Sequence, residues 1–161
     1  MDAVWYYDSD PNPNPHSSAS IEPVIISTVA KLIDGRTLAK TTPQQTVREA
    51  CEVMCELDVG AVVVLDEERL VGVLSERDVI RKVVCKGRHS ADTAVSDIMT
   101  ASPQTIAANG QLAQALEIMG KGGFHHVPVV DGTTTIGMLS ADDIPEEYRM
   151  LLERFKEMRA G

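Results

Sequence analysis

Two short stretches set a hydroxyl and a carboxylate three residues apart at the end of an apolar run: Ser75 and Asp78 after Val71-Gly72-Val73-Leu74, and Ser140 and Asp143 after Ile136-Gly137-Met138-Leu139. Each reads as a buried strand whose serine caps a helix and whose aspartate lies in the first helical turn. Such a junction leaves free backbone N–H groups and the positive end of a helix dipole beside a hydroxyl and a carboxylate. That combination suits a phosphate and a ribose diol. One copy alone also describes an ordinary capped helix, because a serine cap with an acid at the third helical position is a common helix start. Recurrence at an offset of 65 residues, Asp78 to Asp143, weighs toward a duplicated site.

In that register Arg77 aligns with Asp142, Arg81 with Glu146 and Lys82 with Glu147. The first motif thus offers cations beside the junction, and a guanidinium can chelate a phosphate through two parallel hydrogen bonds. The second offers carboxylates, which repel it. The competing reading of Arg77 and Arg81 is an exposed helix face with i,i+4 pairing. His125-His126 suggests a metal or a proton transfer, but adjacent residues at a strand start point to opposite faces and cannot chelate one ion together. Packing, a hydrogen bond, or a phosphate contact from His126 are the readings left. No set of His, Cys, Asp and Glu has structural-metal spacing, so no metal is expected. A paired general acid and base, a Gly-rich loop with its lysine, and a nucleophile flanked by a base are all missing from the motif, which argues against an enzyme.

The elements that must position these residues come in the same order twice. Thr46 to Leu57 has apolar residues at Val47, Ala50, Cys51, Met54 and Leu57, which is helical spacing, with Thr46 as cap and Glu49 completing a capping box. A short strand over Leu38 to Thr41 precedes it, and the β-branched run Ala61 to Leu65 follows as a strand covered on both faces. The turn Asp66-Glu67-Glu68 leads to Leu70–Leu74. The second copy reads as a strand over Thr105 to Ala107, a helix over Gln111 to Lys121, strands over Val127 to Val130 and Thr135 to Leu139, and the hairpin signal Asp131-Gly132 between them. Val29 to Ile33 and Val95 to Met99 are short helical lead-ins, Lys86 to Asp92 is a polar linker, and Tyr148, Leu151, Leu152, Phe155 and Met158 mark an amphipathic helix over 145–159. Cys51 and Cys55 read as small buried hydrophobes beside the first helix's apolar face, and Cys85, near the linker, as the thiol more open to oxidation.

The chain has 161 residues, enough for one sizeable core or two half-size units, and the repeat favours two. A net charge of −9 argues against sequence-blind nucleic-acid binding, which needs a basic face. No apolar run approaches a membrane span. Three cysteines, two of them one turn apart, fit no secreted disulfide framework, so a cytoplasmic setting is expected. Residues 1–22 carry no Lys or Arg and a Pro11-Asn12-Pro13-Asn14-Pro15 run, which reads as a mobile tail, with Trp5-Tyr6-Tyr7 available to a partner or a neighbouring subunit.

Strand, helix, two strands and helix, closed each time by Gly72 to Asp78 and Gly137 to Asp143, together with Phe124-His125-His126-Val127-Pro128-Val129-Val130-Asp131, resemble a tandem cystathionine-β-synthase (CBS) domain pair, a Bateman module. The resemblance implies an α/β (α+β) fold of two repeats, 29–88 and 93–147, related by a pseudo-twofold axis, with a C-terminal helix. It also implies two clefts that bind an adenine nucleotide: AMP first, with ATP or NAD(H) as the other candidates. Asp78 and Asp143 would hold the ribose hydroxyls, Ser75 and Ser140 would touch phosphate, and Lys40-Thr41 and Thr105-Ile106 would flank adenine. The implied function is a non-catalytic regulatory module acting on an effector protein, commonly as a homodimer. The alternatives are an enzyme acting on such a nucleotide and a structural dimerisation domain without ligand.

Overall fold

The computed structural model describes residues 28–160. The stretch 1–22 with its Trp5-Tyr6-Tyr7 lies outside the described residues, as do the side chains of Leu152 and Phe155. The first half runs α1 (Val29–Ile33), β1 (Lys40–Thr41), α2 (Val47–Leu57), β2 (Ala61–Asp66), β3 (Arg69–Ser75), α3 (Glu76–Lys82) and a 3-10 turn at Val84–Lys86. The second runs α4 (Val95–Ile98), β4 (Thr100–Ala101), β5 (Ile106–Ala107), α5 (Leu112–Gly122), β6 (His126–Asp131), β7 (Thr134–Ser140), a 3-10 turn at Ala141–Asp143 and α6 (Glu146–Ala160). β1 runs parallel to β2, β3 is antiparallel to it and β4 joins the far edge. β5, β6 and β7 repeat the first three of these.

Local sequence accounts for most of this. Thr46 caps α2 as expected: its hydroxyl accepts from the Glu49 N–H at 3.2 Å, and the Glu49 carboxylate accepts from the Thr46 N–H at 2.7 Å. Ala61 to Leu65 are all buried, as an apolar run covered on both faces requires. The β2–β3 register slips at Val64/Leu65 and the β6–β7 register at Val129/Val130, the same place in each copy, so a bulge belongs to the repeat itself. In the first hairpin the two central turn residues, Glu67 and Glu68, both take left-handed backbone (φ 48° and 65°), whereas the second hairpin has Gly132 at φ 60°.

The cores do not follow the chain. Val29 and Ile33 of α1 pack with Ile106, Leu112, Val127 and Leu139 of the second half. Val95 and Ile98 of α4 pack with Val47, Val62, Leu74 and Val83 of the first. Backbone bonds pin the exchange: the Val29 N–H donates to the Gly110 carbonyl and the Val95 N–H to the Gln45 carbonyl, both at 2.9 Å. Each lead-in helix closes the other unit's core, and β4 extends the first sheet. Two glycines permit the fit, since a Cβ on Gly137 would lie 2.5 Å from the Ile33 side chain and one on Gly72 would lie 2.6 Å from Met99.

The second strand-to-helix junction departs from expectation. Ser140 opens only a three-residue 3-10 turn, and α6 starts at Glu146, because Pro145 has no N–H to carry an α-helix through from Asp143. Tyr148, expected in an exposed stripe, packs against the second core. Met150, Leu151 and Met158 are exposed on α6.

Candidate functional site

β7 lies against β2 and β3, and two clefts open along that contact. The first, about 550 Å³, gathers Ser75, Arg77, Asp78 and Arg81 from the first motif. Its opposite walls come from the second half: Thr100, Ser102 and Gln104 after α4, and Gly123, Phe124 and His125 ahead of β6. The second cleft, about 750 Å³, holds Ser140, Asp142 and Asp143, walled by Ile33, Arg36, Thr37 and Ala39 of the first lead-in and by Cys55 and Asp58 to Ala61. Gly60, Glu76 and His126 line both clefts and form their common wall.

Each motif closes on itself. One oxygen of Asp78 accepts from the Ser75 N–H at 3.2 Å and from the Ser75 hydroxyl at 2.9 Å, while the other meets Lys82 Nζ at 2.8 Å. Lys82 also donates to the Ile98 carbonyl at 2.8 Å and does not line the cleft. One oxygen of Asp143 accepts from the Ser140 N–H at 2.8 Å, and the other meets Arg36 at 2.8 Å. Both carboxylates are largely buried, with side-chain exposure of 16%, and each already has a cation on the oxygen left free by the serine. A ribose hydroxyl placed there takes over from an ammonium or a guanidinium.

Of the residues expected to flank adenine, none lines either cleft. Thr41 is buried with its hydroxyl on Gln45 Oε1 at 3.0 Å, and Lys40 faces Glu68 at 3.9 Å. Ile106 sits in the second core, and Thr105 beside it is exposed. The walls come instead from a few residues earlier, because the exchange of lead-ins carries 100–104 to Asp78 and 36–39 to Asp143. Arg36, overlooked in the sequence, corrects the reading of the second cleft as carboxylates alone. Glu146 and Glu147, aligned with Arg81 and Lys82, lie beyond the Pro145 break and line neither cleft. Cys55 is exposed rather than buried; Cys51 is half-buried, and burial raises its thiol pKa, with Cys55 adding to the effect. Among the described residues, no group of three His, Cys, Asp or Glu could hold a metal, and no helix is long and apolar enough to cross a membrane.

His126 projects into the common wall. Its Nε2 lies 3.3 Å from where a Cβ on Gly60 would stand, so the imidazole passes close over the backbone of β2's approach. Burial lowers its pKa below the ordinary 6.5 and His125 adds to this, while Glu76, Asp142 and Asp143 pull the other way. A histidine depressed on folding takes up its proton more readily when unfolded. Its contribution to stability is therefore complete above the ordinary value and is lost as pH falls from there through the folded value. Urea midpoints should fall between about pH 7.5 and about pH 5.5, and His126→Gln should flatten that slope. An unchanged slope in the variant would remove His126 as the cause.

Fold and clefts together define a duplicated α/β module with a ligand-sized cavity on each side of the repeat contact. The chain belongs to the CBS domain family, whose signature matches residues 36–85 and 95–148. It is 33% identical over 146 residues to CBSX3, a mitochondrial CBS domain-containing protein of Arabidopsis thaliana, covering 85% of this chain and 70% of that one. A putative signal-transduction protein with CBS domains from Burkholderia ambifaria superposes with a TM-score of 0.69 at 34% identity, covering 73% of this chain and 90% of its own. A CBS domain protein of Pyrobaculum aerophilum, solved in complex with AMP, gives 0.69 at 27% identity, covering 79% and 97%.

Proposed function

We propose that the protein is a regulatory adenine-nucleotide-binding module without catalytic activity, in which AMP, or else ATP or NAD(H), occupies the clefts and alters contacts with an effector protein. The observation that carries this reading is the placement of Asp78 and Asp143 in two separate cavities, each walled by the opposite repeat. A ligand there touches both halves, so its binding energy depends on how the repeats sit against one another, and a shape change follows by linkage. The AMP complex of the Pyrobaculum protein supports the choice of nucleotide. Ser75, Arg77, Asp78 and Arg81 bind in the first cleft, Ser140 and Asp143 in the second, and His126 reaches both. Unpaired cysteines fit a cytoplasmic, reducing setting.

Mass spectrometry of freshly purified, denatured protein should release an adenine nucleotide. A thermal-shift panel of AMP, ADP, ATP, NAD and NADH should then raise the melting temperature for the physiological ligand by mass action. Absence of any nucleotide together with a flat panel would leave the serines and aspartates as helix caps. The exposed Met150, Leu151 and Met158 on α6 favour a homodimer, and a monomer mass in light scattering at micromolar concentration would remove it.

A further inference from the structure

The two clefts differ in charge, and not through the motif residues alone. Arg77 and Arg81 stand in the first against Glu76 and Asp78, which balance. In the second, Arg36 stands alone against Asp58, Glu76, Asp142 and Asp143. The excess of three carboxylates has identifiable sources. Asp142 occupies the register position of Arg77, and Asp58, at the C-cap of α2, occupies that of Gly123. Arg36 is already on Asp143 at 2.8 Å, which leaves Asp58 and Asp142 without a cation in the cavity wall. A phosphate carrying up to two negative charges meets repulsion there, and across a cavity of about 750 Å³, comparable in width to the Debye length, salt screens that repulsion only in part.

We infer that the second cleft takes a ribonucleoside that is neutral or positively charged at its 5′ end, while the first takes the phosphorylated nucleotide, so that one chain reads two different ligands. This rests on the ribose-binding reading of Asp78 and Asp143 given above and narrows it, since the phosphorylated nucleotide is then confined to the first cleft. Asp143 supplies the diol contact, as Asp78 does in the first cleft. Asp58 and Asp142 act as specificity residues that exclude a phosphate and leave room for an uncharged hydroxymethyl or a cationic substituent. An unequal pair of this kind is discrimination by unfavourable charge rather than by an added contact.

The test uses adenosine as the neutral probe and AMP as the anionic one, titrated calorimetrically into the full chain carrying Asp78→Ala with Arg77→Ala and Arg81→Ala, which together remove the diol and phosphate partners of the first cleft. Asp78→Asn replaces Asp78→Ala should this triple variant fail to fold, since an amide oxygen still accepts at the cap. Adenosine is expected to bind this protein at least tenfold more tightly than AMP. Adding Asp58→Gly and Asp142→Arg places the first cleft's residues in the second. Asp58 already has left-handed backbone (φ 52°), which glycine adopts freely, so this change leaves the helix end intact. AMP should then gain at least tenfold while adenosine stays unchanged. AMP binding the triple variant as tightly as adenosine, neither probe binding it, or no gain for AMP in the charge-exchanged variant would each overturn the inference while the nucleotide reading of the first cleft stands. Failure of both probes on the wild type would remove the nucleotide reading and this inference together.

Discussion

Asp78→Ala should weaken AMP binding in the first cleft by on the order of tenfold to a hundredfold. A carboxylate accepting from ribose hydroxyls makes charged hydrogen bonds of about 1.5–3 kcal/mol each, and about 1.4 kcal/mol is a decade in affinity. The lower part of that range is the better expectation, because Asp78 Oδ1 already meets Lys82 and a ribose hydroxyl there competes with an ammonium. The substitution also removes an acid from a helix start, at about 0.3–1 kcal/mol of stability, so melting curves must accompany the titrations. Asp143→Ala acts in the other cleft and should leave this affinity nearly intact. Equal affinities in wild type and both variants would reduce the two aspartates to capping residues.

The second large effect is on stability. Ile98→Ala should cost about 2–5 kcal/mol, the range for truncating a fully buried aliphatic side chain. In a chain of this length that lowers the melting temperature by on the order of 10 °C. Ile98 is 1% exposed and follows the linker, yet it belongs to the core of the first half, with Val47, Val62, Leu74 and Val83. The loss should therefore appear in a single transition that takes both units down together. A loss under about 1 kcal/mol would mean that α4 is not docked on the first core in solution.

What the sequence discloses and what it withholds divide along the range of the interactions. The Thr46–Glu49 box, the apolar run of β2 and the Ser75–Asp78 pair are settled within a few residues, and the structure has them as read. Register alone could also place Asp142 opposite Arg77. Arg36 on Asp143 joins residues more than a hundred positions apart and follows from the exchanged lead-ins, which no local pattern encodes. The same exchange puts residues of 36–39 and 100–104, rather than Lys40-Thr41 and Thr105-Ile106, on the cleft walls. Pro145 was a legible stop signal between Asp143 and the last helix, and it shortens the second junction to a 3-10 turn.

The turn Glu67-Glu68 bears on the order in which the chain assembles. Two side-chain-bearing residues in left-handed backbone disfavour closing that hairpin before something else holds its strands, since such conformations cost on the order of 1 kcal/mol or more apiece. Gly132 imposes no such penalty on the other hairpin. The β6–β7 hairpin should thus form early and serve as the nucleus, with β2–β3 registering later under the pull of its buried valines and leucines. Mutations in β6 and β7 would then slow refolding, and mutations in β2 and β3 would chiefly hasten unfolding. A duplicated sequence need not fold as two equivalent halves.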